Sequence, residues 1–237
     1  MTRLAGAKLL LTSGPTRGNL DAVRYITNKS TGRLGALIAE AALAEGAEVT
    51  FIYGTGSLTP HVADGRRARL RLIEVETVSD LIAAVRDAMG GTLFDAVIHA
   101  MAVLDYEPAE SIPEKVPSER EEWVIRLVRT PKVIRLIRDL DPNAFLVGFK
   151  LEVGRSPEEL RRIGFESLQK NRADLVIAND LAEIEKGRHR GHFIDPRGEV
   201  IAVAEGKPTI VAQLIEILSR EYAQRRVVAE GGTHGQA

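Results

Sequence analysis

Short β-rich apolar runs alternate with segments of helical periodicity through most of the chain, the pattern of a parallel sheet covered by helices. Strands are predicted over 8–13, 48–53, 71–75, 95–100, 145–151 and 174–178, and helices over 32–45, 78–89, 131–139 and 157–171. Two further strands, 192–195 and 200–204, flank the turn signal Pro196-Arg197-Gly198 and form a hairpin, and a last helix covers 208–220. The expected fold is α/β: a Rossmann-like, doubly wound, mainly parallel sheet with helices on both faces and a small antiparallel hairpin extension. Such sheets bind ligands outside the carboxyl ends of their strands, where strand order reverses, so site residues should follow strands. No repeat, low-complexity tract or linker divides the chain. A single domain is expected over 1–224, with a flexible tail over 225–237 around Gly231-Gly232-Thr233-His234-Gly235.

Composition narrows the chemistry. The 237 residues contain no Cys, which excludes a disulfide framework, cysteine-held metals and a catalytic thiol. With 32 basic against 33 acidic side chains the net charge is −1, which argues against a nucleic-acid surface built on bulk charge. No apolar run reaches the roughly 18 residues of a membrane span, and the N-terminus runs into a strand without a signal peptide. A cytoplasmic protein with no membrane and no nucleic-acid partner is the expectation.

The connection after the first strand is unusual. Gly14-Pro15-Thr16-Arg17 follows it, and the first helix begins only near Thr31, so the tight GxGxxG turn of dinucleotide-binding folds is absent. The second strand ends Phe51-Ile52-Tyr53-Gly54, with no carboxylate to hold a ribose. An NAD(P)-dependent oxidoreductase or epimerase, which would also need a Tyr-x-x-x-Lys pair, is therefore a secondary reading. A non-catalytic nucleotide-binding or regulatory domain is another. Ahead of the first helix, Ser30 or Thr31 offers an N-cap, while Gly32 and Gly35 allow close backbone approach. Free amides there suit an anion such as phosphate; a capped helix packed on the sheet through Gly35 explains the same residues. The proline-punctuated stretch over 105–122, with seven acidic residues, is the one long segment without periodicity.

Taken together, Thr12-Ser13-Gly14-Pro15-Thr16-Arg17 and Asp21-Ala22-Val23-Arg24-Tyr25-Ile26-Thr27-Asn28-Lys29-Ser30-Thr31-Gly32 resemble the opening of the phosphopantothenate–cysteine ligase family. Four later segments resemble family motifs in order: Ala102-Val103-Leu104-Asp105-Tyr106, Glu114-Lys115-Val116, Gly148-Phe149-Lys150-Leu151-Glu152 and Ala178-Asn179-Asp180. The resemblance covers about 8–220. It implies a ligase of coenzyme A biosynthesis that joins 4'-phosphopantothenate to L-cysteine through an acyl-nucleotide formed from CTP or ATP, with release of pyrophosphate and a requirement for Mg2+. Nucleotidyl transfer supplies the leaving group that a carboxylate lacks, so catalysis rests on positioning and charge stabilisation rather than an enzyme nucleophile.

The same resemblance distributes roles. Asn28 stabilises the acyl-nucleotide, its amide offering an uncharged donor and acceptor; a left-handed turn before the helix is the alternative reading of that residue. Lys115 follows phosphate charge from a mobile flap over about 105–122. Asp105 serves the nucleotide through its ribose or through the metal. Gly14, Ser30, Gly32, Gly35, Met101 and Ala102 line the nucleotide, with Met101 standing where an alanine is more usual. Pro131, Lys132, Val133 and Ile134 open a helix whose amides face the triphosphate. Phe149 shapes the base site beside Lys150, and Lys170 provides a further phosphate contact. Arg24 and Asn179, with Asn28, contact phosphopantothenate. His99, alone on its strand, is expected to be a satisfied core residue.

Two departures bear on specificity. Pro117-Ser118 replaces the two lysines of many bacterial members and is closer to free-standing and eukaryotic forms, and GFKLE replaces the GFAAE that accompanies CTP, leaving CTP and ATP open. The resemblance also implies a homodimer in which the hairpin over about 190–205 takes part. No flavin is expected, and a separate decarboxylase is expected to act downstream.

Overall fold

A computed structural model describes residues 2–119 and 121–231. The chain runs β1 (Lys8–Ser13), β2 (Arg17–Asn19), β3 (Tyr25–Thr27), α1 (Arg33–Ala44), β4 (Glu48–Gly54), α2 (Asp64–Arg67), β5 (Leu70–Val75), α3 (Val78–Met89) and β6 (Ala96–His99). It continues through β7 (Tyr106–Pro108), β8 (Leu127–Arg129), α4 (Val133–Leu140), β9 (Phe145–Glu152), α5 (Pro157–Asn171), β10 (Leu175–Asp180), α6 (Leu181–Glu185), β11 (Arg190–Ile194), β12 (Val200–Glu205) and α7 (Lys207–Gly231). Eight strands form one sheet in the order β12-β11-β10-β9-β6-β1-β4-β5. From β10 to β5 all neighbours are parallel, and β11 and β12 close one edge as an antiparallel hairpin.

Each central strand divides its side chains between two cores. In β1, Leu9 and Leu11 enter a core with Ile38 and Leu43 of α1 and Ile210, Leu214 and Leu218 of α7. Leu10 faces the other side, against Leu81 and Val85 of α3, Ile137 of α4 and Leu168 of α5. Cover on both faces is why the strands read as continuous apolar runs rather than alternating ones. α3 and α5 each begin at a capping box, Thr77 with Asp80 and Ser156 with Glu159, worth about 1 kcal/mol apiece.

Strand order reverses between β1 and β6: the chain moves outward from β1 to β4 and β5, then crosses to β6 and onward to β9 and β10. The ladder between the two strands extends past their regular ends. Ala100 N donates to Thr12 O at 3.0 Å, Ala102 N to Gly14 O at 2.8 Å, and Pro15 and Ala102 form a parallel bridge. The loops that emerge there are therefore held by backbone bonds, not by side chains alone.

Several expectations are corrected. The last helix does not stop at 220 but continues to Gly231, because neither Gly nor Pro interrupts it and its later turns dock: Tyr222 Oη donates to Ala5 O at 3.1 Å, and the Arg225 guanidinium lies 5.8 Å from the Phe145 ring centre. Residues 225–231 of the expected tail are thus helical, and 232–237 lie outside the described residues. The region between β1 and α1 is not only loop but contains the hairpin β2–β3, whose three-residue strands carry too little periodicity to be read. In the same way β7 and β8 pair antiparallel across the base of the expected flap. Strand β10 extends two residues further than expected, so Asn179 and Asp180 lie inside it rather than beyond it. Among the described residues no helix is long and apolar enough to cross a membrane.

Candidate functional site

The site grows from the reversal between β1 and β6. Gly14 ends β1 with φ +78°, and a Cβ there would stand 2.0 Å from Ser57 Oγ, so only glycine turns the chain at this point. Gly35 is forced by proximity instead: a Cβ would lie 2.2 Å from Ser13 Oγ. Ser13 Oγ in turn donates to Gly32 O at 3.0 Å, which draws the start of α1 against the end of β1.

The cap of α1 differs from the expected serine or threonine. Gly32 itself occupies the N-cap in a left-handed conformation, with no side-chain cap bond. Ser30 Oγ accepts from Gly32 N at 3.4 Å, and Thr31 Oγ1 accepts at 3.4 Å from the N–H of Arg33, the first residue of the helix. The next amides of α1, those of Leu34 and Gly35, keep their capacity for a ligand. Beside them a cleft of about 400 Å³ is lined by Pro15, Arg17, Asn28, Lys29, Thr31 and Ser57, among others.

Asn28 follows β3 and is exposed. Its Nδ2 donates to Ala102 O at 3.0 Å and to Val103 O at 3.2 Å, both carbonyls of the loop after β6. With both amide hydrogens engaged, Oδ1 is the atom left to meet a ligand. Thr16 buttresses the same loop by accepting from Leu104 N at 3.0 Å, and Thr130 Oγ1 donates to Leu104 O at 2.5 Å. Met101 is buried in the core, so it contributes backbone only, whereas Ala102 is partly open.

Asp105 comes next, exposed, and forms an ion pair with Lys132, the N-cap residue of α4. No side chain caps α4, and the exposed Pro131 and Lys132 leave its first amides open. Val133 is buried and Ile134 packs towards Gly148, so these two offer amides, not side chains. Lys132 also acts on His99 across the strand end: burial, with the Lys132 cation adding to it, pushes the His99 imidazole down to about 4. His99 Nδ1 meets Thr12 Oγ1 at 2.7 Å, so the ring is neutral at pH 7 and satisfied within the sheet, as expected for a core histidine.

Between β7 and β8 the flap packs against the tip of the β2–β3 hairpin. Lys115 is exposed on it, next to the buried Val116. Arg24 is half-buried and already engaged: its guanidinium grips Asp21 at 2.6 Å, donates to Val116 O at 2.5 Å and stacks 4.7 Å from the Trp123 ring centre.

Of four further expected contacts, Lys170 falls elsewhere, and Asn179, Phe149 and Lys150 are engaged by neighbours within the fold. Lys170 lies in the last turn of α5, and the residues after it bond to the start of β9, Asp174 N to Leu146 O at 2.8 Å and Leu146 N to Asp174 Oδ2 at 2.7 Å. That is the amino-terminal edge of the sheet, opposite the site, because a crossover helix runs antiparallel to its strands. Asn179 is buried, and its Nδ2 donates to Arg190 O in β11. Phe149 is half-buried against the α1 core, and Lys150 pairs with Glu152 at 2.9 Å. Residues that sequence reasoning passed over are Thr16, Thr130 and Asp21; only the Asp-x-x-Arg spacing at Asp21 and Arg24 carried a local signal.

Comparison with known proteins follows the same outline. Residues 4–220 match the family described as DNA/pantothenate metabolism flavoprotein C-terminal domain. The coenzyme A biosynthesis bifunctional protein CoaBC of Thermococcus kodakarensis is 40% identical over 222 residues, 94% of this chain and 50% of that protein. The chain spans about half the length of the curated relatives it matches. A solved structure of the DNA/pantothenate metabolism flavoprotein from Streptococcus pneumoniae superposes with a TM-score of 0.80 at 33% identity, covering 91% of this chain and 99% of that one. The crystal structure of the C-terminal domain of a CoaBC protein superposes with a TM-score of 0.74 at 26% identity, covering 94% and 100%.

Proposed function

Because the chain belongs to the family of DNA/pantothenate metabolism flavoprotein C-terminal domains, we propose that it is a ligase of coenzyme A biosynthesis, joining 4'-phosphopantothenate to L-cysteine. A nucleoside triphosphate, CTP or ATP, activates the carboxylate: a carboxylate oxygen attacks the α-phosphorus and pyrophosphate leaves. The cysteine amine then attacks the acyl carbon, and the nucleoside monophosphate leaves.

The observation that carries this reading is the union of Asn28 with the Ala102 and Val103 carbonyls at the point where strand order reverses. It sets an uncharged acceptor, Asn28 Oδ1, between two helix N-termini that suit phosphate. In the second step that oxygen accepts from the attacking amine and orients its lone pair toward the acyl carbon. The Lys115 and Lys132 ammonium groups and the amides of α4 compensate charge on the phosphates. Among the described residues no group of three or more His, Asp or Glu side chains is placed to hold a metal ion. Magnesium would be carried by the nucleotide phosphates, where it would neutralise charge, while Asp105, paired with Lys132, serves the ribose.

The relatives named CoaBC support the pathway assignment, and the exposed Ile201 and Val203 on edge strand β12 suit the homodimer included in this proposal. The test is pyrophosphate release. It should require phosphopantothenate, magnesium and a nucleoside triphosphate together, and CTP and ATP compared at equal concentration assign the nucleotide. Absence of release with both nucleotides would overturn the proposal.

A further inference from the structure

Asp21 sits at the tip of the β2–β3 hairpin, and its carboxylate has no exposed surface. Two local amides, Val23 N at 2.9 Å and Arg24 N at 2.8 Å, donate to Oδ1. Oδ2 accepts from Arg24 Nε at 2.9 Å, from Arg24 Nη2 at 2.6 Å and from Val116 N at 3.1 Å. The last of these donors lies 95 positions away, on the flap. Arg24 Nη2 also donates to Val116 O at 2.5 Å, so the pair holds both polar groups of one flap residue.

Val116 is 3% exposed, whereas every residue over 111–115 and 117–119 is exposed. A second bond, Ile112 N to Leu20 O at 3.0 Å, pins the flap on the other side of Pro113-Glu114-Lys115. Trp123, stacked on the Arg24 guanidinium, adds a third contact from further along the flap. The three residues that include Lys115 are thus suspended between two anchors, Leu20 and Asp21, that are adjacent in sequence.

We infer that Asp21 is a positioning residue of the proposed ligase: through Val116 it holds Lys115 to the hairpin that leads into Asn28. The inference rests on the ligase reading for the role of Lys115, but the anchor itself does not. Charge-assisted bonds to a buried carboxylate are the strongest available for such a link, and the donors on Oδ2 leave it no lone pair for water. A neutral amide at this position loses the pairing with Arg24 and presents a donor to Val116 N.

The anchor is tested without turnover. In the wild-type protein, hydrogen exchange at the Val116 amide should be at least 100-fold slower than at Lys115 and Ser118; exchange as fast as its neighbours would show that the anchor does not hold in solution. Trp123 is the only tryptophan of the chain. In Asp21→Asn its fluorescence should become more accessible to acrylamide while circular dichroism stays unchanged, and an unchanged quenching constant counts against the anchor. The link to chemistry is tested by combining variants. Asp21→Asn should lower kcat at least tenfold in the wild-type background and add no further loss in Lys115→Gln. Equal losses in both backgrounds would mean that Asp21 does not act through Lys115. If the wild-type protein releases no pyrophosphate the ligase reading fails, while the exchange and quenching results still decide the anchor.

Discussion

Asn28 donates through Nδ2 to the carbonyl of Ala102 at 3.0 Å, a bond between residues 74 positions apart that ties the hairpin β2–β3 to the loop after β6. It determines which atom of the asparagine is free, and hence what the residue can do.

Asn28→Asp replaces a donor of two bonds with an anion facing two carbonyl oxygens. The side chain must turn away, and kcat for amide formation should fall by roughly 10²–10³, the usual cost of a lost transition-state contact. Because Asn28 is exposed, the melting temperature should barely move. Pyrophosphate release and thermal unfolding measured on one preparation check both halves, and normal turnover would remove Asn28 from the mechanism.

Asp105 and Lys132 form an exposed pair, with side-chain exposures of 64% and 39%, so breaking it should change stability by less than about 1 kcal/mol. Asp105→Asn should instead abolish the preference for a ribonucleotide over its 2'-deoxy analogue, measured as a ratio of kcat/KM. Recovery of activity with excess magnesium, and an intact ribose preference, would assign the carboxylate to the ion.

His99 is held at about 4 by burial and by the Lys132 cation, against 6.5 for a free imidazole. The folded protein refuses a proton that the unfolded chain accepts, so the contribution is complete above pH 6.5 and stability is lost as pH falls from there toward 4. An NMR titration should place the imidazole well below 6.5 and move it upward in Lys132→Ala; a normal titration would show that the strand end does not desolvate the ring.

Gly35→Ala forces a methyl against Ser13 Oγ, 2.2 Å from the ideal Cβ position, and disturbs the Ser13 bond to Gly32. Overpacking of this kind costs about 1–3 kcal/mol. Chemical denaturation should show that loss, and Ser13→Gly should recover part of it in the double variant.

Lys170→Ala should leave the KM for nucleotide unchanged, because Lys170 lies at the amino-terminal edge of the sheet. A raised KM would mean that the residue reaches the site by a route outside a single chain.

The regular elements were legible where burial imposes a period. β1, α3 and α5 have the expected limits, since their ends coincide with a polar flank or a capping box. Hairpin β2–β3 was not, because three-residue strands stabilised by a buried carboxylate leave no hydrophobic pattern. The site was legible as motifs. Asn28, Asp105 and Lys115 stand out by resemblance, but Lys170 and Asn179 show that a residue near a motif can still point to the wrong edge or be consumed by a neighbouring strand.

By itself the amino-acid sequence determined the alternation of strands and helices, the two-sided burial, the absence of thiol chemistry and the motifs of a family. Those follow from local periodicity and composition, which act over a few residues. Tertiary structure alone decided that β1 and β6 are neighbours, that Asn28 spends its donors on Ala102 and Val103, and that Asp21 holds Val116. These are bonds between residues 74 to 95 positions apart, and no local preference specifies a partner at that distance until the sheet has brought the two loops together.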